Sequence, residues 1–430
     1  MTNRPHTRPV ELDMLAADLD ELLAVSDAQL ATDYPGESYG RQPVHTAYVA
    51  AHRFAPDTVR LWGSQAIAAM DEFAKDTTEF ATAFGLRPEV AEQVRPLVLA
   101  KLDAEPIEDI RIDFEDGYGT RSDETEDSHA RAAARSLLFV LGEDGAPPIV
   151  GIRCKSLESK TRRRAIKTID AFLDALCENG GKPPPGLLIT LPKVTSADQV
   201  SAMNLLCQRF ESAYGLVYPR RLPFEIQVEM PQLIVGADGA ATIARCVHAG
   251  RHRLVGLHFG TYDYSAAVGV SADHQSLEHP SADYAKSVMQ VAVAGTGVAL
   301  SDGSSNVLPV GSKEQVIAAW QLHAGLVRRS LERGFYQGWD LHPAQLVSRY
   351  AASYAFYRQG FGGACDRLRS YAERSAAGLE EPATGRALAG YLSRALNCGA
   401  VTEVELKAQT GWDQDKLRHL RFRGTVPSPW

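Results

Sequence analysis

No apolar run in the sequence approaches the ~18 residues that a membrane-spanning helix requires. Residues 1–20 carry charges throughout and lack the apolar middle of a signal peptide. Cysteine is sparse. Cys154, Cys177, Cys207, Cys246, Cys365 and Cys398 are scattered, with no CxxC pair and no metal-binding spacing, so they read as reduced thiols of a cytoplasmic protein. Basic residues form no long stripe and are outnumbered, 45 against 53 acidic ones, for a formal net charge of −8. That balance argues against nucleic acid as the main partner. There is no internal repeat and no low-complexity tract. The first strand candidate is not followed by a glycine-rich phosphate turn, the usual mark of an open dinucleotide-binding sheet.

What the 430 residues do contain is alternation. Short apolar runs rich in β-branched residues read as buried strands at 44–49, 109–115, 149–154, 187–193, 224–229, 254–260, 298–302 and 337–343. Helical stretches lie between them, among them 124–141, 162–177 and 197–214. Eight strands alternating with helices imply a parallel sheet closed into an α/β (β/α)₈ barrel, the TIM barrel. The barrel spans 41–355. An N-terminal helical arm covers 1–40, with Leu12, Leu15, Leu19, Leu22 and Leu23 at helical spacing. A C-terminal helical extension covers 356–430, with Leu368, Tyr371, Leu388, Tyr391, Leu392 and Leu396 forming apolar stripes that must be buried against something. Thr402 and Glu405 have the spacing of a capping box.

The fifth and sixth strands organise the candidate site. Each runs into a carboxylate that a strand does not need: Glu229 after Val228, and Asp263 three residues after Gly260. About 25 residues separate the two strands, room for a crossover helix near 237–249. Neighbouring parallel strands then present both acids at one rim, and oxygen ligands on an open rim suit a hard cation such as Mg²⁺.

In a barrel, chemistry sits at the carboxyl ends of the strands. Read in order, those ends carry Glu115 and Asp116, Arg153, Lys193, Glu229, Asp263, Asp302 and His342. Burying such charges singly is expensive, so a ring of them is easier to explain around a cation and an anionic substrate. Each also has a structural reading. Asp113 serves equally as a hydrogen-bond acceptor, Lys193 as a rim ion pair, His342 as a backbone-bonded histidine. His45 and His258 read as core groups, and Lys160–Arg164 as a solvated face or, functionally, a phosphate clamp.

The ordered motifs Asp113-Phe114-Glu115-Asp116-Gly117, Ile152-Arg153, Leu191-Pro192-Lys193, Glu229, Phe259-Gly260-x-x-Asp263 and His342-Pro343-x-Gln345 resemble the citrate lyase β-subunit and malyl-CoA lyase family of the HpcH/HpaI aldolase superfamily. The likeness covers roughly residues 43–350. It implies a Mg²⁺-dependent carbon–carbon lyase or aldolase acting on a 2-oxo acid-derived or 3-hydroxyacyl substrate, coenzyme A thioesters included, through a metal-stabilised enolate. By motif match, Glu229 and Asp263 are the metal ligands. Arg153, Lys193, Gly260 and Thr261 contact substrate. Arg153, Glu115 and Asp116 are the catalytic set, with Glu115, Asp116 and a metal-bound hydroxide all open as the base. A malate synthase-like condensing enzyme and a non-catalytic metabolite-binding barrel are the alternatives. The expected partners are a small 2-oxo acid or acyl-CoA and further copies of the same chain, with no nucleic acid and no membrane. The extension is expected to act as a lid or an oligomer contact.

Overall fold

The computed structural model describes residues 12–37, 40–250, 253–376 and 381–423; residues 1–11 of the arm lie outside that range. Helix α1 is Leu12–Asp33. The barrel opens with β1 (His45–Ala50), α2 (Thr58–Phe73), α3 (Thr77–Phe84) and α4 (Pro88–Ala104). It continues through β2 (Asp109–Asp113), α5 (Asp123–Val140), β3 (Ile149–Arg153), α6 (Arg162–Cys177), β4 (Leu188–Leu191) and α7 (Ala197–Ala213). Then come β5 (Phe224–Val228), α8 (Pro231–Ile234), α9 (Thr242–Gly250), β6 (Leu254–Phe259), α10 (Thr261–Ala267) and α11 (Pro280–Val293). Strand β7 (Ala299–Ser301), α12 (Lys313–Glu332) and β8 (Gly338–Asp340) complete it. The remainder is helical: α13 (Pro343–Ala376), α14 (Pro382–Asn397), α15 (Glu403–Thr410) and α16 (Gln414–Arg423).

All eight expected strands are present and parallel, in the order β7-β6-β5-β4-β3-β2-β1-β8. A single bridge between Ser301 and Gln337, with the Asp302 N–H donating to the Gln337 carbonyl at 2.8 Å, joins β7 to the approach to β8. The sheet thereby closes into a (β/α)₈ barrel. Among the described residues no helix is long and apolar enough to cross a membrane.

The strands end earlier than the apolar runs suggest. β2 leaves the ladder at Asp113, β4 at Leu191 and β5 at Val228. The charged residues just beyond them are therefore free of sheet pairing and can turn over the barrel mouth. The crossover helix near 237–249 begins later, at Thr242, because Gly236–Gly239 form a turn. Gly239 has φ +77°, and Asp238 accepts a hydrogen bond from the Ala240 N–H.

The lower half of the barrel interior is ionic. Arg111 donates to both oxygens of Asp109 (2.9 and 2.8 Å) and to both of Glu225 (2.9 and 3.1 Å). Thr46, Thr190 and His258 satisfy the same carboxylates. Such a group is tolerable when buried because each oxygen has a partner. His258 is thus a core group, as expected of it.

Helix α13 begins at Pro343 and runs unbroken for 34 residues, across the 355/356 position at which the sequence pattern changes. The tail's apolar stripes are covered within the chain. Leu368, Tyr371, Leu388 and Leu392 are buried, and the Tyr391 hydroxyl donates to the carbonyls of Phe356 and Tyr357 at 2.9 Å. Thr402 and Glu405 form the capping box. Arg394 and Arg421 line a cavity of about 410 Å³ with Asp109, Ile149, Leu188 and Glu225. The tail therefore lies beneath the amino ends of the strands, away from this chain's own barrel mouth.

Candidate active site

The carboxyl ends of the strands surround a cavity of about 740 Å³. Asp113, Asp116, Arg153, Glu229, Gly260, Thr261 and Asp263 all line it, as do Tyr48, Trp62, Trp339 and His342. Its size suits a metabolite rather than a single small ion.

Arg153, the last residue of β3, is set by Asp113 on the neighbouring strand. Its Nε and one terminal nitrogen donate to the two Asp113 oxygens at 2.6 and 2.7 Å. Asp113 also accepts from the N–H groups of Glu115 and Gly117, both at 2.9 Å, so it is itself fixed. Tyr48 lies beneath the guanidinium, its ring 5.0 Å from the guanidinium carbon. The remaining nitrogen of Arg153 faces Gln227 (3.3 Å) and Glu115 (3.3 Å). Burial alone would lower the Arg153 pKa, but Asp113 and Glu115 outweigh it and hold the guanidinium charged. The charged planar fork is thus clamped by Asp113 on one edge, while its other edge is shared by Gln227 and Glu115.

Glu229 follows β5 and is 1% exposed. One of its oxygens accepts the Lys193 N–H at 2.6 Å. Asp263 sits in the first turn of α10, after β6, and its carboxylate is half-exposed. The Lys193 ammonium lies among the acids, 3.0 Å from Glu115, 3.3 Å from Asp116 and 3.2 Å from Asp263. Burial pulls the Lys193 pKa down, and the acids, Glu229 first, more than restore it, so the amine stays charged.

Desolvation pushes Glu229 up to about 8, against the opposing pull of Lys193. It pushes Glu115 up to about 7 despite Arg153. Asp116 goes the other way: burial would raise it, but its hydrogen bond with Glu115 and the charges of Arg153 and Lys193 hold it below the usual carboxylate range. The acid cluster thus carries more negative charge than its surroundings comfortably support.

The fit to a divalent cation can be judged on this donor set. Glu229 and Asp263 supply hard oxygens beside one cavity, and the elevated Glu229 marks a buried carboxylate short of positive charge. Among the described residues no three His, Cys, Asp or Glu side chains are gathered closely enough to hold a metal by themselves; an ammonium stands between the acids. Glu229 and Asp263 are hard oxygen donors of the kind Mg²⁺ takes, and an ion between them would need its other oxygens from water or substrate.

One strand-end residue falls elsewhere, and another serves as a helix cap. Asp302 turns away from the cavity to Lys286 (3.0 Å) and Ser330 (2.5 Å), so it is a structural ion pair. His342 lines the cavity, with its Nδ1 accepting from the Ala344 N–H as a cap on α13. Thr261 points its hydroxyl at the Ser304 carbonyl. Gly260 lines the cavity and makes room for Glu229: a β-carbon there would lie 2.5 Å from the Glu229 Cβ. Arg164, from the basic run, is occupied by Asp123, Glu126 and Asp127 of α5. The sequence reading did not single out Tyr48, Gln227 or Trp339. The signal available for Gln227 was its parity with Glu229, two residues on, which puts both on the inward face of β5.

The chain matches, over residues 23–425, the model of a domain of unknown function, DUF6986, and belongs to that family. No curated protein matches it in sequence. Solved structures similar to it include a citrate lyase from Burkholderia xenovorans LB400, at 19% identity over 86% of this chain and 96% of that one, with a TM-score of 0.58. A malate synthase from Haloferax volcanii, in a magnesium and glyoxylate complex, aligns at 13% identity over 74% of this chain and 76% of that one, TM-score 0.48. An HpcH/HpaI aldolase/citrate lyase family protein from Burkholderia cenocepacia J2315 aligns at 14% over 78% and 97%, TM-score 0.39. A citrate lyase, a protein of the kind to which the strand-end motifs pointed, is thus among those whose fold this chain resembles; at 19% identity that likeness establishes the barrel.

Proposed function

We propose that this barrel is a carbon–carbon lyase of the citrate lyase and aldolase type, acting on a 2-oxo acid unit with Mg²⁺ held by Glu229 and Asp263. The observation that carries the reading is the convergence of Arg153, Glu229 and Asp263 on one cavity, with Glu115 against Arg153 at 3.3 Å. A clamped cationic fork and a surplus of hard oxygens are what a 2-oxo acid and its counter-ion require.

When bound, the metal supplies Lewis acidity to a carbonyl oxygen. The protein's own part is positioning and proton handling. Arg153 is immobilised by Asp113 and Tyr48, and its nitrogen now shared by Gln227 and Glu115 turns to the substrate oxygens on which negative charge grows. Retro-aldol cleavage of the carbon–carbon bond next to a β-hydroxyl group requires a base to take the hydroxyl proton, as the hydroxyl becomes a carbonyl and the bond's electron pair passes to the enolate. Glu115, raised to about 7 and 3.3 Å from Arg153, can take a proton near neutral pH, whereas the depressed Asp116 is a weaker base. The buried floor of Tyr48 and Trp339, with ring centroids 4.7 Å apart, excludes water beneath the reacting atoms. A Schiff-base role for Lys193 is disfavoured, because that chemistry needs a neutral amine and the surrounding acids keep this one charged.

The test is calorimetry with pyruvate, oxaloacetate and glyoxylate, with and without Mg²⁺, followed by product analysis. One of these acids should bind only with the metal, and its β-hydroxy adduct should be cleaved. Turnover that demands an acyl-CoA and joins two molecules, with no cleavage, would replace the lyase by a condensing enzyme. Absence of binding by all three acids would contradict the reading.

A further inference from the structure

Lys193 is unusual in both backbone and side chain. Its φ is +53°, in the left-handed region that L side chains rarely adopt; the only other such non-glycine residue among those described is Asn179, in a turn. A residue in that conformation persists where its surroundings over-determine it, and such residues cluster at functional sites. Two contacts determine this one. Its N–H is spent on Glu229 at 2.6 Å. Its ammonium sits among Glu115, Asp116 and Asp263 at 3.0 to 3.3 Å. The same residue therefore holds one of the proposed metal ligands by its backbone and pairs with the other by its side chain.

We propose that the Lys193 ammonium is a resident stand-in for the divalent cation, displaced outward when Mg²⁺ enters. The inference rests on the metal reading of Glu229 and Asp263. An ammonium and a dication cannot share the same carboxylate oxygens, because Mg²⁺ draws its ligands to about 2.0–2.1 Å and like charges repel at that range. Lys193 has a way out. Its side chain is 25% exposed, and the acids it touches at the rim, Asp116 and Asp263, are 53% and 45% exposed. The four-carbon stem can follow Asp116 toward solvent while the backbone stays fixed on Glu229. In the metal-free protein the ammonium keeps the acids gathered that would otherwise repel one another. The consequence is a site that is pre-assembled but moderated in affinity, since the metal must compete with a tethered cation.

The test compares Mg²⁺ titrations of the unmodified chain, Lys193→Met and Lys193→Gly. Both substitutions remove the ammonium and keep the N–H that positions Glu229. Glycine adopts φ +53° freely, which guards against a folding failure of the methionine variant. Both variants should bind Mg²⁺ roughly tenfold tighter or more, the scale of removing a unit charge beside the site. Mg²⁺ should also raise their melting temperatures by more than it raises that of the unmodified chain. Unchanged or weaker affinity in both, with the unmodified chain binding, overturns the displacement and leaves the metal reading standing. Absence of Mg²⁺ binding in all three removes the metal reading, and this inference with it.

Discussion

Gly260 and Glu229 face each other across adjacent strands at a separation that leaves no room for a side chain: a β-carbon on Gly260 would meet the Glu229 Cβ at 2.5 Å and its carboxylate at 2.7 Å. Because Glu229 is 1% exposed, it has nowhere to retreat. Gly260→Ala should therefore displace Glu229. The expected cost is about 1–3 kcal/mol in stability from overpacking, together with weakened Mg²⁺ binding. Thermal unfolding and metal titration check the two parts, and an alanine variant with unaltered metal affinity would show that Glu229 is not a ligand.

Arg153→Lys keeps the charge but loses the planar fork that Asp113 clamps. The variant should retain Mg²⁺ and bind the 2-oxo acid more weakly by about 1.5–3 kcal/mol, the scale of a charged hydrogen bond. Equal affinity for the acid would remove Arg153 from substrate binding.

Asp340 is an anchor of the fold at the end of β8. Arg349 donates to it at 2.9 Å, and His45 and His323 approach it at 3.2 and 3.3 Å. Burial would raise its pKa, but Arg349 and the two histidines hold it well below the carboxylate range. A depressed folded-state pKa gives stability that is present above the unfolded value, ~3.9, and is lost as pH falls further. Asp340→Asn leaves Arg349 buried without a counter-charge and should cost about 3–5 kcal/mol at neutral pH. It should also flatten the loss of stability on acidification below about pH 4. Denaturant unfolding across that range decides, and a variant with the unmodified acid slope would contradict the assignment.

Helix α1 has no buried residue, yet it exposes Leu12, Leu15, Leu19, Leu22 and Leu30. Its charges are all acidic: Asp13, Asp18, Asp20, Glu21, Asp27 and Asp33. The chain elsewhere exposes Val217 and Tyr218 beside Arg220 and Arg221, an apolar surface of the opposite charge. We expect the arm to dock on that loop of a second copy, which makes the protein a homo-oligomer. The tail's stripes are already covered within the chain. Removal of residues 1–33 should lower the mass measured by light scattering and leave the barrel folded. A monomeric full-length chain at micromolar concentration sinks the idea.

The eight strands were legible because strands of a parallel sheet, buried on both faces, read as short continuous apolar runs. Glu229, Asp263, Arg153, Glu115, Asp116 and Lys193 were legible because each interrupts such a run with a charge. Tyr48 and Trp339 were not, for the same reason in reverse: inside an apolar strand, an aromatic residue facing the cavity looks like one facing the core. The turning away of Asp302 depends on Lys286 and Ser330, two helical residues whose approach no local pattern announces. The left-handed backbone at Lys193 is likewise set by its contacts rather than by its neighbours in sequence. The run of α13 across 355 was hidden because the helix passes from the barrel, where Tyr350 donates to the Pro106 carbonyl, to the tail, where Tyr354 donates to the Cys398 carbonyl, and changes partners without ending.

The divalent cation we propose is held by Glu229 and Asp263. Isothermal titration of Mg²⁺ into the unmodified chain, Glu229→Gln and Asp263→Asn addresses it most directly. Glutamine at 229 can still accept the Lys193 N–H, and neutralising either acid relieves repulsion within the cluster, so both variants should fold. Saturable Mg²⁺ binding by the unmodified chain, abolished in each variant, is the predicted result; affinity unchanged in both variants would contradict it.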